Sequence, residues 1–470
     1  MKVSTRLFSL LLCGFLCFSL VSEVIAQRNL NYRDLRIQQQ RSPVYTDFMV
    51  LPGETDQSVK FAAVFSISYQ YLPFKKLPKS GQTAEDHSFY SPVSMNMEVF
   101  NATEEQLKRN DQDISVERLE SIERSFWRDT AYTSTYEETQ SERNFISGSM
   151  NVSLSPGIYS YILQMNRGDS KETQFSRVRT SRIQSYRDMK QGAVYFGKEV
   201  SNQGGNITFN LLGMGQNVQY GKDFHALVYI PDYKQDVDYT MTIFETERSK
   251  NDTTNIQQLF SKTISEDNIY RNIRPVLKSG QGTNTLHLQE DSNGFAYALV
   301  NIPNSTFPNT TFNLQVKEKN SDKRAVQSSF RSLWIDMPRS LLSLDVAIDM
   351  LQYITDKETI DRLSSGSQRE RERKFRDFWG EKDPTPKTEY NELMAEYYRR
   401  VDYAYENFTT ENTIGYNSDQ GEIYIKYGPP DNIQRKYPTK GATVEIWTYP
   451  NRNFVFEATS GFGDFRLKTN

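Results

Sequence analysis

VKFAAVFSISYQYLPF (Val59–Phe74) decides the architecture. Its β-branched and aromatic residues largely alternate with smaller or polar ones, the period of a half-buried strand rather than of a helix. FYSPVSMNMEVF (Phe89–Phe100) follows the same rule, as do Met150–Leu154 and Ile158–Met165, which Ser155-Pro156-Gly157 joins as a turn. Proline there sets one backbone dihedral and glycine accepts a positive one. Further on, a second block from Ala193 to Trp334 repeats the pattern through Ile207–Leu212, Phe224–Ile230, Tyr239–Glu245, Phe295–Ile302 and Phe312–Val316. Gly204-Gly205, Pro231-Asp232 and Ser292-Asn293-Gly294 punctuate it. Both blocks end on a strand, a turn, an aromatic-led strand, a polar turn and a last strand, which points to a distant duplication. The expectation is two antiparallel β-sandwich domains of immunoglobulin-like type, residues 45–190 and 191–337.

After Met337-Pro338 the period becomes helical. Leu341, Leu344, Ala347, Met350, Leu351 and Ile354 step by three and four, one face of an amphipathic helix. Thr355 and Glu358 have the spacing of a capping box, and the charged run Gln368–Arg376 ends on Phe378 and Trp379. Asp383-Pro384-Thr385-Pro386 breaks the chain, and Pro386 suits the first position of a long helix. Its apolar face would be Tyr390, Met394, Tyr397, Val401, Ala404 and Phe408. Past Gly415 the alternation of Ile423 and Ile425 with Tyr424 and Tyr427 predicts a strand, followed by Val444–Tyr449, Phe454–Phe456 and Phe465–Leu467 in a small antiparallel meander. Residues 338–470 are thus expected to form an α+β domain.

At the other end, Lys2 and Arg6 precede an apolar run from Leu7 to Val21, and Val24-Ile25-Ala26 supplies the small residue of a cleavage site. These are the three regions of a secretory signal peptide, residues 1–26, too short in its apolar part to span a bilayer. A polar leader, 27–44, would follow it. Removal of 26 of the 470 residues leaves 444, and takes away both cysteines. That excludes disulfides, thiolate nucleophiles and cysteine-ligated zinc from the mature chain. It also leaves 54 basic (56 − 2) against 58 acidic (59 − 1) residues, a net charge of −4, which offers no field for nucleic acid. Mean hydropathy is −0.68, yet 28 Phe, 28 Tyr and 4 Trp supply the burial that disordered chains lack. No transmembrane segment is expected in the mature chain, which would be exported to the periplasm or beyond the cell.

Phe378-Trp379, Asp383-Pro384-Thr385-Pro386, Thr388, Asn391-Glu392, Glu396 to Val401 with Arg400, Ala404 and Phe408 resemble the bacterial GWxTD domain. Gly415-Tyr416-Asn417-Ser418-Asp419 stands where that domain carries its signature, followed by Gly421, Gly428 and Trp447 in strand-like segments. Tyr416 replaces the family's Trp and Ser418 its Thr, while Gly415 and Asp419 are kept. Both replacements preserve kind, a ring and a hydroxyl, which favours packing and turn formation over chemistry that needs one particular group. The resemblance implies an exported bacterial protein with β domains before the signature domain, and no mechanism.

Candidate chemistry is sparse. Asn417-Ser418-Asp419-Gln420-Gly421 reads as an Asx-type turn launching the next strand, or as two oxygen ligands of a calcium loop; Glu290-Asp291-Ser292-Asn293-Gly294 offers a second such cluster. Glu389, Glu392 and Glu396 fall at spacings of three and four, as a solvated helix face with Glu396 four before Arg400, or as paired carboxylates for glycoside chemistry. Trp379 and Trp447 read as core or as a groove lining. His87, His225 and His287 are scattered. Arg177, Arg179 and Arg182 form a short basic stripe, and Arg167-Gly168-Asp169-Ser170 copies an adhesion tetrapeptide at an expected hairpin turn. Seven Asn-x-Ser/Thr sites matter only in a eukaryotic host. The reading these features favour is a non-enzymatic interaction or scaffold protein of the cell envelope, with a protein or glycan partner and no cofactor. The alternative is an envelope glycan or peptide hydrolase built on Glu392, Glu396 and Asp419.

Overall fold

The computed structural model describes Leu35 and residues 42–469, apart from 79–86, 110–119, 169–173, 204–205, 250–251, 281, 320–323 and 460–462. The signal-peptide expectation, Asp169 and Ser170 of the tetrapeptide, and the Asn251 site therefore lie outside the described residues. The described chain divides into two compact units, 42–336 with 387–390, and 337–386 with 391–470.

The first unit is built almost wholly of antiparallel strands. β1 (Val44–Pro52), β2 (Val59–Ser68), β3 (Lys75–Lys76), β4 (Phe89–Asn101), β5 (Ser121–Thr133), β6 (Phe145–Leu154), β7 (Gly157–Arg167), β8 (Gln174–Phe175) and β9 (Arg179–Ile183) come first. Short helices α1 (Glu104–Arg109) and α2 (Tyr136–Thr139) interrupt them. They form a sheet β1-β2-β6 and a second sheet in which β4 and β7 are central, with β5 on β4 and β9 on β7. In β4 the alternation read from sequence sorts the side chains, with Met95, Met97 and Val99 entering the core; β2, expected to be half-buried, is instead buried on both faces almost throughout, and Phe61, Phe65 and Ile67 join that same core. Ser155-Pro156-Gly157 does join β6 to β7, but the two strands do not pair: the turn carries the chain from one sheet to the other, and Gly157 opens β7 without the positive φ expected of it.

The second block contributes β10 (Val194–Gln203), β11 (Asn206–Leu211), β12 (Asn217–Gln219), β13 (Phe224–Tyr229), β14 (Tyr239–Ser249), β15 (Asp252–Ile264), β16 (Ile269–Gly280), β17 (Thr283–Glu290), β18 (Phe295–Ile302), β19 (Thr311–Glu318) and β20 (Arg324–Leu333). Six of them close into a barrel, β10-β11-β17-β16-β18-β13, and five form a sheet, β12-β20-β19-β14-β15, in which only the β12–β20 pair is parallel. One core lies between β13, β18 and the five-stranded sheet. The opposite faces of the barrel strands join the first block's core without a break, through Phe209, Leu286 and Tyr297. At that junction the buried Tyr186 hydroxyl accepts from Tyr297 at 2.9 Å, and Tyr195 donates to the Val50 carbonyl at 2.8 Å.

The second unit carries α3 (Leu344–Asp349), α4 (Lys357–Ser364), α5 (Gln368–Gly380), α6 (Glu392–Phe408) and α7 (Asp419–Tyr427), then the antiparallel meander β21 (Asn432–Lys436), β22 (Val444–Tyr449), β23 (Arg452–Ala458) and β24 (Phe465–Thr469). Leu35, from the segment read as a leader, is buried in its helical core. Four local expectations are corrected. The helix expected over 341–354 is broken, because Ser343 caps a fresh start at α3 between two single 3₁₀ turns. Asp356, not Thr355, caps α4, its carboxylate accepting from Thr359 N–H at 2.7 Å, and the capping box is Ser367 with Glu370. α6 starts at Glu392 rather than Pro386, since Asn391 accepts from Met394 N–H at 2.8 Å and donates to the Trp379 carbonyl at 2.9 Å. The strand expected at Ile423–Tyr427 is helix α7, which is buried on two sides: Ile425 enters the helical core, and Ile423, about 200° around the helix from it, enters the separate core under the meander with Trp447 and Phe456.

Candidate functional site

The signature segment is where the second unit's tightest contacts converge. Residues 415–417 form a single 3₁₀ turn, and Ser418 follows as the N-cap of α7. Its Oγ donates to the Gly415 carbonyl at 2.7 Å and accepts from Gly421 N–H at 3.0 Å. One hydroxyl thus closes the turn and satisfies an orphan donor of the helix. Both glycines are required by close approach. A Cβ on Gly415 would lie 2.0 Å from the Ala404 carbonyl oxygen, and one on Gly421 would lie 1.9 Å from the Gly415 carbonyl oxygen. Tyr416 stacks on Tyr405 with centroids 6.0 Å apart, and its carbonyl accepts from the Tyr353 hydroxyl. Burial raises the Tyr416 hydroxyl above its ordinary pKa. The Asp419 carboxylate accepts from Leu467 N–H at 2.7 Å, fastening β24 to the start of α7.

Around this turn the other motif residues hold the frame. Trp379 is buried against Phe378, Tyr397 and Tyr398. Asp383 accepts from Thr385 N–H at 2.8 Å, an Asx turn between Pro384 and Pro386, and Thr385 Oγ1 donates to Glu392 at 2.6 Å. Arg400 donates to Glu396 at 2.8 Å, the i,i+4 pair expected from sequence. Its guanidinium lies beneath Gly428, which has a positive φ of 79° and whose carbonyl accepts from Tyr449 at 2.8 Å. Trp447 is core, 1 % exposed, between Phe408 and Phe456.

A cleft of about 500 Å³ opens beside the signature, lined by Thr410, Asn412, Asn417, Asp419, Asp464 and Arg466 among others. Asp464 accepts from Thr410 Oγ1 and, at 3.1 Å, from Asn412 Nδ2. Hydroxyls, amides, two carboxylates and an exposed guanidinium make it a polar surface suited to hydrogen-bonding a ligand.

The three carboxylates of the hydrolase alternative do not meet there. Asp419 lines the cleft, while Glu392 and Glu396 are absent from it, and both are engaged on α6 as described. Glu389 is not on the helix at all. Its N–H donates to the Ser305 carbonyl at 2.9 Å and its carbonyl accepts from Tyr220 at 2.6 Å, with Tyr390 packed on Trp334 in the first unit. Asp291 of the second acidic cluster pairs with Arg274, and the Asn293 N–H first and Arg274 second lower its pKa. Among the described residues no group of three or more His, Cys, Asp or Glu could hold a metal ion. His225 and His287 sit on non-adjacent barrel strands. Of the arginines, Arg182 pairs with Glu104, Arg179 lies over Phe48, and Arg167 lies over Tyr71 at 3.9 Å.

Sequence reasoning missed Glu445. It is 4 % exposed and accepts from Gln420 at 2.9 Å, Trp447 Nε1 at 2.8 Å and Arg435 at 2.8 Å. The signal was present: Glu445 shares the inward phase of its strand with Trp447 and Tyr449. Asp464 carried none, being fixed by contacts from residues more than fifty positions away.

A helical layer closed by a four-stranded antiparallel meander, with a glycine-tight turn capping the helix between them, defines an α+β signature domain placed after a large β unit. Residues 314–465 match the family model of the GWxTD domain, so the chain carries a C-terminal GWxTD domain. The match begins inside β19 and so takes in the last strands of the first unit. A comparison with curated proteins returns no match. No helix among the described residues is long and apolar enough to cross a membrane.

Proposed function

We propose that this is an exported, non-enzymatic interaction or scaffold protein of the bacterial cell envelope. In this reading two immunoglobulin-like β-sandwich modules present surface, and the GWxTD domain binds an envelope protein or glycan in the cleft beside its signature. One observation carries it. Each group of the signature is engaged in holding the domain together, Ser418 as a cap, Gly415 and Gly421 as close contacts, Asp419 as a fastening of β24, while the adjoining cleft offers a polar recognition surface. The apolar start of the chain and its small-residue cleavage site support export. The test is a pull-down from envelope extract with the wild-type chain and with Arg466→Glu, a charge reversal at an exposed position lining the cleft. A partner recovered by the wild type and lost by the variant at unchanged melting temperature is expected. No partner, or equal recovery, overturns the assignment.

A further inference from the structure

Four neighbouring strands of the barrel, β10, β11, β17 and β16, send alternate side chains toward the core and away from it. Ile207, Phe209, Leu286 and Leu288 enter the core. On the other side the register lines up one row: Ser201 opposite Thr208, Thr208 opposite His287, and His287 opposite Val276. Lys278, two residues along β16, stands opposite Thr285 and so diagonal to His287, a separation that long side chains bridge. Gln289 follows His287 on the same side of β17.

Ser201, Thr208, Lys278, His287 and Gln289 line a hollow of about 460 Å³, which the buried Ile207 and Leu288 complete. Each of the five polar side chains can donate a hydrogen bond, and no carboxylate is among them. Lys278 forms no ion pair among the described residues, and none of the five makes a side-chain hydrogen bond there. The acids of this face are engaged elsewhere. Glu199 accepts from Asn210 at 2.9 Å, and three strand spacings, about 14 Å, separate it from Lys278 in their common row. Asp291 is held by Arg274. Burial and the Lys278 ammonium lower the His287 pKa. Two groups of like sign thus face one hollow with no negative charge to balance them, and an anion is the ligand that would stabilise both.

We infer that this hollow on the barrel binds a tetrahedral oxyanion, phosphate or sulfate, free or carried on a sugar. Lysine meets such a group as a point charge, whereas the two-point grip on a planar carboxylate belongs to arginine, and no arginine lines the hollow. The Ser201 and Thr208 hydroxyls and the Gln289 amide supply neutral donors to the remaining oxygens. The His287 imidazole takes up a proton beside the bound charge, because a neighbouring anion favours its charged form. The volume is within the range of small-molecule sites, so there is room for a sugar bearing the anion. Nothing in this site depends on the cleft of the GWxTD domain.

The experiment is an NMR titration of the full-length chain labelled with ¹³C at its 3 histidines, from about pH 5 to 8, with His287→Asn assigning the signal. Sulfate, whose charge is constant over that range, should raise the His287 midpoint by about one pH unit and leave His87 and His225 in place, while chloride at equal ionic strength moves none of them. At fixed pH the same signal compares inorganic phosphate with glucose 6-phosphate; both should bind, and the tighter of the two identifies the source of the anion. Lys278→Gln, a change at an exposed position, should raise the His287 midpoint in the absence of ligand and weaken phosphate binding at least about tenfold, the loss of one charge-assisted contact, at unchanged melting temperature. No response of His287 to sulfate or phosphate, a common shift of all three histidines, an equal response to acetate, or undiminished binding in Lys278→Gln would overturn the site.

Discussion

Gly421→Ala sets two physical effects against each other. By helix propensity the change stabilises α7 by about 1 kcal/mol, since glycine is the poorer helix former. The structure predicts the opposite sign. The new Cβ would lie 1.9 Å from the Gly415 carbonyl oxygen, where real contacts stay beyond 3.0 Å, so the backbone must open by about 1.1 Å (3.0 − 1.9). What has to move is backbone held by the Ser418 hydroxyl, not the end of a flexible side chain. Overpacking of this kind costs about 1–3 kcal/mol, and loosening the cap adds about 1 kcal/mol. After the propensity gain is subtracted, the net loss is about 2 kcal/mol, or about 8 °C in the melting of a unit this size. Differential scanning calorimetry of the full chain reads it in the transition that Ser418→Ala also moves. An unchanged or raised transition would refute the close-packed account of the signature.

Ser418→Ala should lower that same transition by about 1 kcal/mol, and Ser418→Thr, the family's residue, should leave it nearly in place; equal losses in both would show that capping is not the hydroxyl's role. Glu445→Leu leaves Gln420, Trp447 and Arg435 donors without their acceptor and should cost about 2–4 kcal/mol by urea denaturation, against a loss within error if the carboxylate were dispensable. Asp47, on β1, accepts from Gly215 N–H at 3.0 Å and Gln216 N–H at 2.6 Å, yet burial outweighs these donors and raises its pKa. The folded state therefore keeps this proton to higher pH than the unfolded chain, and the first unit loses stability as pH rises from about 4 through the folded pKa. Urea midpoints from pH 4 to 7 should show a smaller decline in Asp47→Asn; parallel curves for the two chains would contradict this.

Much of the fold was legible because burial imposes a period. β4 declared itself by alternation, β2 and β7, buried on both faces over much of their length, by their density of β-branched and aromatic residues, and α6 by its steps of three and four, since Tyr397, Val401 and Ala404 must all reach one core. Closure of six strands into a barrel was not legible, because pairings such as β10 with β13 join residues that no local pattern links. α7 was misread for a different reason: Ile423 and Ile425 satisfy a period of two as well as they satisfy a short helix, and the deciding contact, Gly421 on Gly415, involves residues without side chains. The helix start at Asn391 was hidden by Pro386, a good first-turn residue that local rules prefer. At the candidate site the motif residues were legible individually, and the cleft they border was not, because Thr410 and Asn412 reach Asp464 only after the meander has folded back.

The account requires the protein to work outside the cytoplasm as a binder, and intact mass spectrometry of the chain from fractionated cells tests that most directly. A 444-residue product beginning at Gln27 (470 − 26), recovered from the periplasmic or extracellular fraction, is the predicted result. The full 470-residue chain retained in the cytoplasm would contradict it.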